Sequence, residues 1–146
     1  MARFERILVP TDFTEASERA LDWAVELAAR LGASLTVMHA YEIPIIGVPD
    51  GSLIASADVA ARLSEAARTA LEAVVKRCEG RGAKIDSVLR EGIAYEEINA
   101  VAMAIDADVV VIGTHSRRGL ARALLGSVAE KVVRTAKRPV LINPGS

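Results

Sequence analysis

The sequence predicts an α/β fold in which a doubly wound, five-stranded parallel sheet carries helices on both of its faces. Two observations support this fold class. Strand-like and helix-like segments alternate in the order βαβαβαβαβ, and the strands are nearly continuous runs of Val, Ile and Leu. Strands that are buried on both faces have such runs, and right-handed crossovers restrict the topology to a doubly wound sheet. We expect the strand order 3-2-1-4-5 within a single domain, residues 1–146.

The first half of the chain contains two predicted strands, each followed by a predicted helix. They are a strand at Arg6–Pro10, a helix at about Thr14–Leu31, a strand at Ser34–Ala40 and a helix at residues 57–79. Apolar residues recur at helical spacing in the first helix. Thr14 suits the N-cap of this helix and Gly32 suits the position after its last turn, so both ends are marked.

The second half contains three predicted strands and two predicted helices. They are a strand at Ala83–Arg90, a helix after Gly92, a strand at Val109–Ile112, a helix at Ser127–Ala136 and a strand at Arg138–Ile142. The strand at Ala83–Arg90 is less apolar than the others, as is expected at the edge of a sheet.

The connection at residues 42–56 is long and rich in Pro, Gly and aliphatic residues. Connections of this length are usually functional or disordered. Because it leaves the second strand at the end of the sheet where ligands bind, a lid and a flap that contacts a partner both remain open.

Composition excludes several classes of protein. A hydrophobic fraction of 51% excludes a disordered chain, and no run approaches the ~18 apolar residues of a membrane span. The formal net charge of −1 gives no overall electrostatic attraction to nucleic acid or to an anionic membrane, so we expect neither as a partner. The only cysteine, Cys78, cannot form an intramolecular disulfide, which suits the cytoplasm, and we expect it to pack in the core.

The segment between Gly113 and Ser127 is the most informative part of the sequence. Residues 114–125 contain three arginines and a histidine but no Asp or Glu: Arg117, Arg118, Arg122 and His115. A strand, a basic loop with glycines and a helix N-terminus together form an anion site, since free N–H groups and the helix dipole favour negative charge. We therefore predict a bound phosphate, that of a nucleotide.

A second candidate segment, Pro10-Thr11-Asp12, follows the first strand. In the expected topology the first and fourth strands adjoin the switch point, where ligands of such sheets bind. Asp12 would then face the basic loop across one crevice. Its carboxylate suits ribose hydroxyls or a metal-bound water, although Asp-Phe-Thr is also an ordinary entry to a helix.

Two readings are open for the start of the last helix. Ser127-Val-Ala-Glu130 matches a capping box, which needs no ligand. The absence of a Cβ at Gly126 would also let a phosphate approach the N–H groups of Ser127 and Val128. Both roles can coexist.

Familiar enzyme signatures are absent from the sequence. It contains no P-loop, no G-x-G-x-x-G after the first strand and no G-x-S-x-G elbow. Its two histidines and one cysteine make no recognisable zinc site, and His39, at the end of the second strand, is expected to be a packing residue. The predicted site is suited to holding a ligand rather than cleaving one.

The whole chain resembles the universal stress protein family. The resemblance lies in four segments: Ile7 to Ser17, Val37-Met-His-Ala40, Gly113-Thr-His-Ser through Leu125-Gly-Ser-Val-Ala-Glu130, and Arg138-Pro-Val-Leu-Ile142. It implies a Rossmann-like domain of the adenine nucleotide alpha hydrolase type. It also implies a homodimer, here through the last strand, Arg138–Ile142.

The resemblance also implies a nucleotide site with residues in named roles. Pro10, Thr11 and Asp12 would line the ribose side, and the backbone of Ala40 would meet adenine. The phosphates would be held by residues of the loop and the following helix: Gly113, Ser116, Gly126, Ser127 and Val128. Independently of the resemblance, Arg117 of the basic loop is a further candidate for binding the nucleotide. The family pattern G-x-x-G, nine residues, then G-[ST] is kept except at position 116, where Ser replaces Gly. A Cβ there costs on the order of 1 kcal/mol if a left-handed conformation is needed, while its hydroxyl could donate to a phosphate.

Three functional hypotheses follow. The first is a cytoplasmic, homodimeric stress-response protein that binds ATP, with or without Mg²⁺, or else ADP or AMP, and hydrolyses it slowly at most. The second is a nucleotide-free dimeric interaction module of the same fold. The third is a nucleotide-using enzyme such as an adenylyl transferase, whose usual H-x-G-H or Ser-Gly signature is missing at Pro10–Asp12.

Overall fold

The computed structural model describes residues 3–44, 46–47, 53–54, 57–114 and 125–144, and it confirms the predicted fold class. The strands are β1 Arg6–Pro10, β2 Ser34–Tyr41, β3 Ile46–Gly47, β4 Leu53–Ile54, β5 Lys84–Glu91, β6 Val109–Gly113 and β7 Val140–Asn143. The helices are α1 Glu15–Leu31, α2 Ala57–Cys78, α3 Ala94–Ala104 and α4 Ser127–Thr135.

The main sheet has five strands in the order β5-β2-β1-β6-β7, and every neighbouring pair is parallel. This order is the predicted 3-2-1-4-5. β1 lies at the centre, where Leu8 pairs with Thr36 of β2 and with Val110 of β6. β5 lies at one edge, as its polar composition predicted, and β7 lies at the other.

The alternation of side chains along the central strands divides the core into two clusters. One cluster joins the sheet to α1 and α2 and includes Ile7, Val9 and Val111. The other joins the opposite face to α3 and α4 and includes Leu8 and Val110. Helices therefore cover both faces, and the carboxyl ends of β1 and β6 lie between the two layers.

Cys78 belongs to the first cluster and is only 2% exposed. Burial raises the pKa of its thiol, which keeps it in the unreactive protonated form. The expectation of a packing residue is confirmed.

Both predicted ends of α1 are confirmed. Thr14 is the N-cap, and its hydroxyl accepts a hydrogen bond from the Ser17 N–H at 3.3 Å. Gly32 follows the last turn with φ of 65°, a left-handed conformation that glycine adopts without steric cost.

Asp108, the residue immediately before β6, holds the end of the sheet that lies opposite the carboxyl ends of β1 and β6. Its carboxylate accepts hydrogen bonds from the N–H groups of Glu5 and Arg6, at 2.8 and 2.9 Å. The Asp108 N–H donates to the Arg6 carbonyl oxygen at 2.8 Å. These bonds join the beginnings of β1 and β6, far along the chain from each other.

The structure differs from the sequence-based prediction in two elements. The connection at residues 42–56 contains a short antiparallel ribbon, β3 paired with β4, that was not predicted. Residues 45, 48–52 and 55–56 of that connection lie outside the described residues, so the lid and the flap both stay open. The last strand was predicted to begin at Arg138 but begins at Val140, because Pro139 has no N–H to donate to a ladder.

Within the part of the chain that the structure describes, no helix is both long and apolar enough to cross a membrane.

Candidate nucleotide crevice

A surface crevice lies at the carboxyl ends of β1 and β6, at the switch point of the sheet. It encloses about 580 Å³ of space between atoms, part of which is open to solvent. Seven of the residues predicted for the site line it: Pro10, Thr11, Asp12, Ala40, Gly113, Gly126 and Val128. Segments that are remote in sequence therefore meet at one cleft.

The turn between β1 and α1 forms one wall, and hydrogen bonds hold it at several points. The Thr11 N–H donates to the Met38 carbonyl oxygen at 2.8 Å, which joins the end of β1 to β2. The buried Thr11 hydroxyl lies 3.1 Å from the Ser17 hydroxyl and accepts from the Phe13 N–H at 3.1 Å. These contacts fix the turn against the first turn of α1.

Asp12 is exposed on this turn and serves the start of α1. Its Oδ1 accepts hydrogen bonds from the N–H of Thr14, at 3.1 Å, and from the Thr14 hydroxyl. This is the ordinary role in helix entry that the sequence left open. A carboxylate has about four acceptor positions, so the same group can also accept hydrogen bonds from a ligand.

His39 lies beneath the same turn. Its Nδ1 is 2.7 Å from the Thr11 carbonyl oxygen, and its ring lies 4.4 Å from the Phe13 ring, centroid to centroid, with a 47° tilt. Phe13 has φ of 66°, a left-handed conformation that is unusual for a bulky residue. The expectation that His39 packs is correct as far as the Phe13 contact goes, but the residue also belongs to the crevice lining.

Gly113 ends β6 at the floor of the crevice. A Cβ there would lie 2.7 Å from the Ala16 carbonyl oxygen and 3.3 Å from the Ala20 Cβ. Close packing of β6 against α1 therefore accounts for glycine at this position without a ligand.

The N-terminus of α4 forms the facing wall, and here the capping-box prediction is wrong. The N-cap is Gly126, with φ of −60° and ψ of 159°, and among the described residues no side-chain cap bond is made there. Ser127 is already the first helical residue, so its hydroxyl is not placed for the capping bond. Glu130 instead contacts Arg134, with a Nη2–Oε1 distance of 2.7 Å.

The uncapped terminus presents free backbone donors. The N–H of Glu130 donates to the Gly126 carbonyl oxygen at 2.9 Å, which is the first bond of the helix. The N–H groups of Ser127, Val128 and Ala129 precede that bond and have no partner within the helix. Such a terminus favours a negatively charged group.

Some predicted site residues are not part of the described crevice. Ser127 follows Gly126 but is not among the lining residues. Ser116 and Arg117 lie outside the described residues, as do His115, Arg118 and Arg122. Their roles remain predictions.

Sequence reasoning missed eight of the lining residues: Thr14, Ala16, Ser17, His39, Ala94, Ile98, Ile112 and Ala129. Most are small or apolar and give the crevice an apolar floor, which a sequence pattern cannot distinguish from ordinary core. His39 had a usable signal, because it directly precedes Ala40 at the end of a central strand.

The described lining is poor in charge, with Asp12 as its one carboxylate. Among the described residues no group of three His, Cys, Asp or Glu side chains is arranged to hold a metal ion. A Mg²⁺ ion at this crevice would therefore need oxygen ligands from a bound phosphate chain, as Mg²⁺ commonly has in nucleotide sites.

Comparison with known proteins gives a consistent result. The sequence model described as the universal stress protein family matches residues 3–144. Universal stress protein MJ0531 of Methanocaldococcus jannaschii is 35% identical over 141 residues, which cover 95% of this chain and 81% of that protein. A universal stress protein of Thermus aquaticus is 33% identical over 95% of this chain and 98% of its own length.

Solved structures agree with these sequence matches. Hypothetical protein MJ0577 superposes with a TM-score of 0.76 at 26% identity, over 98% of this chain and 99% of its own. A universal stress protein in complex with cAMP superposes with a TM-score of 0.71 at 25% identity, over 99% of each chain.

Proposed function

The chain belongs to the universal stress protein family, and from this premise we propose that it binds an adenine nucleotide, ATP foremost, in the crevice between β1 and β6. The observation that carries the proposal is the free N-terminus of α4, which opens at Gly126 onto the same crevice as Asp12. A site for a nucleotide needs an anion-binding end and an apolar surface for the base, and both line this cleft.

The proposed phosphate end consists of backbone donors rather than charged side chains. The N–H groups of Ser127 and Val128 would donate to phosphate oxygens, and Gly126 leaves room for their approach. The basic loop that follows Gly113 would add Ser116 and Arg117. A phosphate chain bound here would bring the oxygen atoms that a Mg²⁺ ion requires.

The proposed nucleoside end lies on the other side of the crevice. Asp12 would accept hydrogen bonds from the ribose hydroxyls, beside Pro10 and Thr11. Adenine would lie on the apolar floor, where the backbone of Ala40 offers it a donor and an acceptor. The structural relative that carries cAMP supports an adenine ligand.

The proposed role is regulatory. Asp12 is the one carboxylate of the described lining, so no second carboxylate is placed there to pair with it in acid–base catalysis. We therefore propose hydrolysis that is slow at most, with the nucleotide acting as a signal. The single, buried cysteine suits a reducing compartment, and we place this function in the cytoplasm.

We further propose that the protein acts as a homodimer. β7, which contains most of the predicted segment Arg138–Ile142, is an edge strand of the main sheet. Edge strands offer unpaired N–H and C=O groups to a second copy, and a two-fold axis would pair the two β7 strands.

The test of nucleotide binding is isothermal titration calorimetry of nucleotide-stripped protein with ATP, ADP and AMP, each with and without Mg²⁺. We expect saturable binding of at least one of them, and GTP is the matched control for the base. The absence of both heat and a thermal shift at millimolar ligand would contradict the proposal.

A nucleotide-free interaction module is the second candidate, and two contacts favour it. Asp12 is engaged by Thr14, and Gly113 is required by its packing against Ala16, so neither residue needs a ligand to explain it. Mass spectrometry of the denatured, freshly purified protein separates the candidates. A stoichiometric adenine nucleotide supports binding, whereas its absence together with silent titrations supports the module.

A further inference from the structure

One contact at the crevice has no part in the roles described so far, namely that between His39 and the turn that carries Asp12. We propose that His39 is a positioning residue that holds the turn Thr11–Phe13 so that the Asp12 carboxylate meets the ribose hydroxyls of the ligand. The inference rests on the proposed function and extends it to a crevice-lining residue whose assigned role acts through Asp12.

The chemistry of the contact determines which atom carries the proton. The Thr11 carbonyl oxygen can only accept a hydrogen bond, so the His39 Nδ1 at 2.7 Å must be the donor. Nδ1–H is present both in this neutral tautomer and in the charged imidazolium. The bond to Thr11 is therefore made in either protonation state.

This bond adds a second restraint on Thr11 beside its backbone contact with β2. The Thr11 N–H is held by the Met38 carbonyl oxygen at 2.8 Å, and the Thr11 carbonyl is held by His39. Both peptide groups of Thr11 are thus tied to β2. The Thr11 carbonyl belongs to the peptide that joins Thr11 to Asp12. The orientation of this peptide therefore sets the position of the Asp12 Cα and the direction in which its side chain leaves the backbone.

Phe13 shows that the turn needs such restraint. A left-handed conformation is unfavourable for a bulky residue and persists only where the surroundings enforce it. The Phe13 ring packs on the His39 ring, and the Phe13 N–H donates to the Thr11 hydroxyl. His39 thus contacts the residue before Asp12 by a hydrogen bond and the residue after it by ring packing.

The experiment compares two substitutions that separate the donor from the ring. His39→Phe keeps an aromatic ring for Phe13 and removes the Nδ1 donor. His39→Asn removes the ring and keeps an amide N–H near the position of Nδ1. Affinities are measured for ATP and for 2′,3′-dideoxy-ATP, which lacks the hydroxyls assigned to Asp12, and circular dichroism and thermal unfolding verify that each variant folds.

The readout is the ratio of the two affinities, because a general loss of structure would weaken both ligands alike. We expect the wild-type protein to prefer ATP by roughly tenfold or more, as for a hydrogen bond to a charged group. In His39→Phe the preference should fall to within about threefold, and in His39→Asn most of it should remain. Asp12→Ala, which removes both acceptor oxygens, should abolish the preference, and adding His39→Phe to it should change the ratio no further.

Several outcomes would overturn the inference. An unchanged ratio in His39→Phe, or equal loss in both substitutions, would show that the donor does not act through Asp12. ATP binding without any preference for the ribose hydroxyls would overturn the inference and leave the proposed function intact. Failure of the wild-type protein to bind any adenine nucleotide would remove both.

A measurement on the wild-type protein covers the case in which a variant fails to fold. Long-range ¹H–¹⁵N correlation spectra identify the tautomer of each histidine, and assignment is straightforward because the sequence contains only two, His39 and His115. At a pH where the ring is neutral, we expect the proton of His39 on Nδ1. A proton on Nε2 alone would exclude the bond to Thr11 and overturn the inference.

Discussion

A Cβ atom added to Gly113 would lie 2.7 Å from the carbonyl oxygen of Ala16. The obstacle is backbone in the first turn of α1, so it cannot rotate away as a flexible side chain could. Gly113 does not have a positive φ, and the demand for glycine is therefore one of space. The end of β6 and the start of α1 can approach each other, and so close the floor of the crevice, only because this side chain is missing.

We therefore predict that Gly113→Ala lowers the free energy of unfolding by about 1–3 kcal/mol, the usual cost of overpacking. Urea denaturation followed by circular dichroism measures it. Gly80→Ala is the matched control, since Gly80 has open space around it but φ of +76°. It should cost only about 1 kcal/mol, the conformational penalty. A Gly113→Ala protein as stable as the wild type would refute the packing argument.

At Gly113 the missing side chain permits close packing against α1, whereas at Gly126 it would permit a phosphate to approach the backbone. The φ of −60° and ψ of 159° at Gly126 suit any L-residue, so the backbone does not require glycine. We predict that Gly126→Val costs at most about 1 kcal/mol of stability, because valine is a poor N-cap. Its affinity for ATP should fall at least tenfold, because the branched side chain fills the space beside the free N–H groups of α4.

Calorimetric titration and thermal unfolding measure the two effects of Gly126→Val separately. Leu125→Val is the control, since Leu125 is exposed and is not among the crevice-lining residues, and it should change neither quantity appreciably. Unchanged ATP affinity in Gly126→Val would show that no phosphate lies beside this residue.

The fold was predictable because the clearest patterns in the sequence, its apolar runs, form the buried strands that stabilise the structure. The apolar runs at Ile7–Val9 and Val109–Ile112 are almost completely buried, and alternation with helices leaves a doubly wound sheet as the compatible topology. The β3–β4 ribbon escaped prediction because its strands have two residues each. No periodicity can be detected over so short a length.

The site was partly predictable, because polar and glycine-bearing strand ends must meet at the switch point. The interpretation of Ser127–Glu130 as a capping box failed for a physical reason. A capping box requires the serine to be the N-cap, which is the last residue with extended backbone before the helix. The motif fixes only the spacing of Ser127 and Glu130, and the N-cap is Gly126 instead. His39 was interpreted only as a packing residue. Its contact with Thr11 depends on a turn in which Phe13 is left-handed, and no sequence pattern predicts that conformation.

The hydrogen bonds at Asp108 predict a pH-dependent contribution to stability. The N–H groups of Arg6 and Glu5 hold the pKa of Asp108 below its ordinary value. Because the pKa of Asp108 is lower in the folded state, its contribution to stability is fully present above the pKa of the unfolded state, near 3.9. This contribution is lost as the pH falls through the pKa of the folded state, because the carboxyl group is then protonated in the folded and the unfolded protein alike.

Asp108→Asn should accordingly be less stable than the wild type by about 0.5–1 kcal/mol at pH 7, an effect limited by solvent exposure. The difference should shrink as the pH is lowered below about 4. Urea midpoints across this pH range measure it. Glu79→Gln, at an exposed position just after α2, is the control and should be nearly neutral. A difference that grew towards acid pH would contradict the assignment.

The proposed dimer can be tested at β7 by separating backbone pairing from side-chain packing. Val110 N–H donates to the Pro139 carbonyl oxygen, and Thr114 N–H donates to that of Asn143. Along a strand of a parallel ladder, the backbone N–H and C=O groups of successive residues point alternately to one neighbouring strand and to the other side. The N–H of Ile142 therefore points away from β6, towards the open edge. A second copy that pairs along this edge would need that donor.

We predict that Ile142→Pro converts the dimer to a monomer, because proline removes the outward N–H while leaving the bonds to β6 in place. Ile142→Ala is the matched control: it loses the same side-chain packing, about 1–2 kcal/mol for this half-buried residue, but keeps the N–H. Sedimentation velocity at micromolar concentration should show a dimer for the wild type and for Ile142→Ala, and a monomer for Ile142→Pro. If Ile142→Pro were still dimeric, pairing would not run through β7, and a monomeric wild type would exclude the dimer altogether.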